Sequence, residues 1–117
     1  MEQSMAPSLS PGDRLYVDPL AYTESTPRRG DVVVVRDPEV PSRFLVKRVG
    51  ALAGEIPPDG GAPVPVGSIW LEGDWSAVSR DSRRFGPVHL SSVLGRAWWR
   101  YHPPERRGPI EAGPAIP

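Results

Sequence analysis

Lys47 is the single lysine among 14 basic residues; every other positive charge in the chain is an arginine. The two side chains differ in the respect that matters for proton transfer, since an amine can lose its proton inside a protein and a guanidinium cannot. A neutral lysine can take the proton of a serine hydroxyl, which makes a Ser/Lys pair a nucleophile and its base. The requirement is severe. An unperturbed lysine, with a pKa near 10.4, leaves roughly one molecule in a thousand neutral at about pH 7.5; lowering it to about 8 takes about 3 kcal/mol of differential desolvation. In Phe44-Leu45-Val46-Lys47-Arg48-Val49, strand alternation places Leu45, Lys47 and Val49 on one face, which gives the amine two aliphatic neighbours. The ordinary alternative is an edge-strand lysine that deters aggregation. A purely electrostatic role of that kind would be served equally by the arginine used everywhere else.

Other chemistries find less support. Only His89 and His102 could join a serine triad, and neither lies in a recognisable motif; both read as surface or structurally satisfied histidines. Two histidines without cysteine or an HExxH spacing supply no metal site, and no cofactor motif is present. The absence of cysteine removes disulfides and thiol nucleophiles. Fourteen acidic residues balance the fourteen basic ones, so no electrostatic footprint for nucleic acid appears.

The elements that must position Lys47 are short. A chain of 117 residues accommodates one domain that buries roughly two-thirds of its unfolded surface. Proline and glycine punctuate it. Pro11-Gly12-Asp13 leads into a strand over Arg14 to Val17, and Arg29-Gly30-Asp31 into the β-branched run Val32 to Arg36, which reads as buried on both faces. Phe44 to Val49 forms a third strand ended by Gly50, Ser68 to Glu72 a fourth, and Val93 to Tyr101 a last extended stretch. Convincing 3.6-residue periodicity is missing, so the fold class is mainly β, with short antiparallel strands and little helix. The catalytic unit is expected over 1–102, followed by a proline-rich, disordered tail over 103–117. The apolar runs of the strands, such as Val32 to Val35, fall far short of the roughly 20 residues of a membrane helix.

Three segments in order resemble the conserved boxes of the type I signal peptidases. Ser4-Met5-Ala6-Pro7-Ser8-Leu9 with Pro11-Gly12-Asp13 is similar to their nucleophile box. Arg29-Gly30-Asp31-Val32-Val33-Val34 with Lys47-Arg48-Val49 and Leu52-Ala53-Gly54-Glu55 resembles their lysine box. Gly73-Asp74 with Ser79-Arg80-Asp81-Ser82-Arg83 resembles the third. The resemblance implies a partly open β barrel and a serine endopeptidase that removes leader peptides. It makes Ser4 the nucleophile, Lys47 the general base, Ser79 the hydroxyl that orients the lysine amine, and Asp81 with Arg83 an ion pair bracing the loop of Ser79. The leader would lie extended in a cleft walled by Met5, Phe44, Leu45 and Val46, with small side chains near the cut.

The resemblance also implies a membrane setting, either the extracytoplasmic face of a bacterial plasma membrane or the intermembrane-space side of the mitochondrial inner membrane. Family members carry a membrane anchor and a strand ahead of the nucleophile; with three residues before Ser4, the resemblance implies an N-terminally truncated chain that lacks both, its true start expected upstream. Glu2-Gln3 stands where the family usually has Gly or Ser. Loss of one oxyanion donor there would cost on the order of 10²–10³ in rate. Two further readings are a soluble Ser/Lys maturation protease and a catalytically impaired β domain that only binds extended peptides or a partner subunit.

Overall fold

The computed structural model describes residues 13–73 and 81–111. Among these, seven strands form: β1 (Arg14–Asp18), β2 (Val32–Arg36), β3 (Phe44–Ala51), β4 (Ser68–Glu72), β5 (Val88–His89), β6 (Val93–His102) and β7 (Gly108–Pro109). A single-turn helix, α1 (Ser82–Phe85), lies between β4 and β5. The strands join in the order β1-β6-β2-β3-β4-β5, with β7 beside β6, and every pairing is antiparallel. The molecule is mainly β, as its punctuated sequence implies, and the sheet is open.

The valine run occupies the middle of this sheet because it can be buried from both sides. Val33 and Val35 join Leu45, Val49, Ile69, Leu71 and Val88 in one cluster, against which Tyr22, Leu52, Phe85, Leu90 and Val93 pack. Val32 goes to the opposite side with Ala97 and Ile110, supported by Leu15, Val34 and Val46. Burial of such a side chain contributes about 1.5–3 kcal/mol. The hairpin between β2 and β3 is organised by buried Asp37, whose Oδ1 accepts from the N–H groups of Glu39 (2.8 Å) and Val40 (3.2 Å). β1 approaches β6 so closely at Gly95 that a Cβ there would lie 2.5 Å from the Asp18 carbonyl oxygen.

Two boundaries differ from the sequence reading. Gly50 does not end β3; the strand continues to Ala51, and the register against β4 shifts between Val49 and Ala51. Glycine marks a bulge here rather than a stop. The segment from Pro103 to Glu111 is also built into the fold, through a 3-10 turn over Pro104–Arg106 and the pairing of β7 with Trp99 and Arg100 of β6. Buried Ile110 anchors it, donating its backbone N–H to the Trp98 carbonyl at 3.0 Å. This docking and the hydrogen bonds to Arg100 and Arg48 override the proline-rich composition. Residues 112–117 lie outside the described residues.

Candidate active site

Lys47 is 1% exposed and lies on a central strand, with β2 on one side and, from Arg48 onward, β4 on the other. That position removes the edge-strand explanation. Its cross-strand partner is Val33, and it shares a face with Leu45 and Val49, all three buried. Desolvation disfavours an ammonium relative to an amine, which is the direction a general base requires. Arg48 takes the opposite face, where its Nη1 donates to the carbonyls of Gly30 and Glu111, each at 2.9 Å.

The turn ahead of β2 fixes how β2 meets β3. Gly30 has φ +93°, a conformation that only glycine adopts easily, and its N–H donates to the Val49 carbonyl at 2.8 Å. Val49 donates in return to the Asp31 carbonyl at 2.8 Å. The Asp31 carboxylate accepts from the Tyr22 hydroxyl (2.8 Å) and the Arg28 N–H (3.0 Å). Burial and then the bond to Asp31 push the Tyr22 phenol well above its usual range, so it remains a donor. These contacts lock the start of β2 to β3 within two residues of Lys47.

The third box folds around Asp81, which is 0% exposed and caps α1. Its Oδ1 accepts from the backbone N–H and Nε–H of Arg83, both at 3.0 Å. Its Oδ2 accepts from Nη2 of Arg83 and, at 2.8 Å, from the Gly73 N–H. The bond to Asp81 holds the Arg83 guanidinium more firmly protonated than usual. Ser82 Oγ accepts from the Leu71 N–H at 2.9 Å. Both ends of the segment containing Ser79 are therefore fastened to each other and to β4. Ser79 itself, like Ser4 and Met5, lies outside the described residues.

The expected cleft wall is uneven. Phe44 is 57% exposed with the Arg36 guanidinium 5.3 Å from its ring centroid, Leu45 is buried, and Val46 is half-buried. β4 pairs with β3 only from Arg48 onward, so among the described residues no strand covers the edge of Phe44–Val46 away from β2. An extended peptide could add there. No group of three or more His, Cys, Asp or Glu that could hold a metal occurs among the described residues.

One buried residue was not singled out from the sequence. Glu72 is 1% exposed and accepts the Trp70 indole N–H on Oε2 at 2.9 Å. Trp70 and Glu72 stand two apart on one strand, a same-face spacing that the sequence displays without indicating burial.

Comparison with known proteins agrees with this geometry. Residues 1–57 and 55–102 match the family described as signal peptidase, peptidase S26. The chain is 36% identical over 122 residues to the mitochondrial ATP-independent inner membrane protease subunit 1b of Arabidopsis thaliana, covering 95% of this chain and 72% of that protein. It is 37% identical over 124 residues to the mitochondrial inner membrane protease subunit 2 of Danio rerio, covering 97% and 67%. The fold is similar to that of a signal peptidase I from Enterococcus faecalis V583, with a TM-score of 0.53 at 20% identity over 62% of this chain and 97% of that one. The chain belongs to the signal peptidase family, peptidase S26, and is a serine-type peptidase.

Proposed function

We propose that the chain uses a Ser4/Lys47 dyad to cleave leader peptides from preproteins at a membrane. The observation that carries this reading is the burial of the only lysine, on a central strand, among aliphatic neighbours. Lys47 Nζ accepts the Ser4 hydroxyl proton as Oγ bonds to the scissile carbonyl carbon. The tetrahedral intermediate then collapses, the C–N bond breaks, and the proton passes to the leaving amine. Water, deprotonated by the Lys47 amine, then attacks the acyl carbonyl, the ester C–O bond breaks, and Lys47 returns the proton to Ser4 Oγ. Ser79 orients the lysine lone pair without adding charge, and the Asp81–Arg83 pair holds the segment that bears it.

The leader lies extended along Phe44–Val46, with Met5 completing the wall, and presents small side chains near the cut. Mitochondrial inner membrane proteases and a bacterial signal peptidase I among the similar proteins support action at a membrane. No helix among the described residues is long and apolar enough to cross one.

Cleavage of a synthetic leader peptide by the full chain tests the reading, with Ser4→Ala and Lys47→Ala alongside. Each substitution is expected to lower kcat/KM by at least about 10³-fold. A wild-type chain that cuts no better than either variant rules the dyad out.

A further inference from the structure

Glu72 closes β4 almost completely buried, yet half of its carboxyl group is unsatisfied. Oε2 accepts from Trp70, while Oε1 is buried with no hydrogen-bond partner among the described residues. An unpaired buried polar atom costs about 1–3 kcal/mol, and native structures hold few of them. The location suggests why this one is kept. A Cβ added at Gly50 would lie in ordinary van der Waals contact with Glu72 Cγ at 3.4 Å and Cδ at 3.5 Å, so the carboxyl side chain packs directly over the bulge of β3. The cross-strand partner of Glu72 is Arg48, the residue after Lys47. The next residue along β4, Gly73, donates to Asp81 at the far end of the segment containing Ser79. Glu72 thus stands at the joint between the strand of the base and the segment of its orienting hydroxyl.

We propose that Glu72 is a positioning residue: packed over Gly50 and bonded to Trp70, it fixes the end of β4 against β3 and so sets the spacing between Lys47 and the segment bearing Ser79. The proposal rests on the Ser/Lys reading. Burial pushes the Glu72 carboxyl above the usual carboxylate range; Asp59 and Asp81 push it the same way, while the Trp70 bond and Arg83 oppose. Arg48, on the facing strand, directs its Nη1 to the carbonyls of Gly30 and Glu111. The direction of this shift favours the neutral acid, and ionisation sets against the bulge a charge that Arg83 and the Trp70 bond offset only in part, which loosens the joint.

The test combines kinetics with a resonance that needs no substrate. Because the chain has one lysine, selective ¹³C-lysine labelling yields a single side-chain Cε signal that reports Lys47. Glu72→Gln keeps an acceptor for Trp70 without a titrating charge. It is expected to hold kcat and KM within about twofold of wild type, leave the Lys47 titration in place, and lose less activity than wild type as pH rises through the titration of Glu72. Glu72→Leu is expected to lower kcat about tenfold with KM within about twofold, and to move the midpoint of the Lys47 signal. Where Glu72→Leu fails to fold, Trp70→Phe removes the donor and is read by the same two measures. Wild-type kcat together with an unshifted Lys47 signal in the variant that folds overturns the proposal. A cleavage rate indifferent to Lys47→Ala overturns the Ser/Lys reading instead, and the resonance still decides the role of Glu72.

Discussion

Among the described residues, Asp81 concentrates four hydrogen bonds on one buried carboxylate, three from Arg83 and one from Gly73. It thereby does the work of a helix cap and a loop clamp together. Asp81→Asn removes the bidentate acceptor and is expected to cost about 2–3 kcal/mol. Thermal denaturation should show this as a lower Tm, with little further loss when Arg83→Gln is added. Glu72 has the opposite signature. Its folded pKa is raised, so its contribution is intact below the unfolded value and is lost as pH rises through the folded one. The Tm of Glu72→Gln should therefore gain on that of wild type as pH rises above the ordinary carboxylate range. A difference that stays flat between about pH 4 and pH 8 contradicts the raised pKa. Asp81 and Arg83 were legible because they sit in a box of recognisable spacing. Glu72 was not, because its burial comes from packing against residues distant in sequence, the bulge of β3 among them.

At the scale of elements, the strand sequence was readable wherever one rule governed it. The valine run became β2, and Ser68–Glu72 became β4 with the ends expected from Gly67 and Gly73. α1 escaped notice because a single turn shows no helical period. Gly50 misled because a glycine inside a strand and a glycine after one look alike in sequence; the pairing of Ala51 with Trp70 decides between them. Gly95 is the position where backbone closeness dictates residue type, since a Cβ there would also lie 2.9 Å from Val17 Cγ1. Gly95→Ala must push β1 away from β6. The expected result is a destabilisation of about 1–3 kcal/mol, visible in a denaturant midpoint, with faster amide exchange along Arg14–Asp18.

At the scale of the whole molecule, the chain's last described residues close the face of the sheet opposite Lys47. Ile110 fills the cluster of Val32 and Ala97, and the Glu111 carbonyl accepts from Arg48. Ending the chain after His102 exposes that cluster and strips Arg48 of one carbonyl, so the truncated form should lose at least about 2 kcal/mol by urea titration. Composition concealed this because the proline content of the segment says nothing of what one isoleucine can dock against. Lys47 and Arg48 are adjacent, so they necessarily face opposite ways: Lys47 is buried on the face of Leu45 and Val49, and the guanidinium reaches the carbonyls that seal the far side. A slip of β3 by one residue that put Arg48 in the place of Lys47 would put Val49 in the place of Arg48. It would drive a permanent cation into the apolar layer and leave both carbonyls facing an aliphatic side chain. Misregistered molecules would thus be unstable, and the fold screens its own copies for a buried lysine in the correct register.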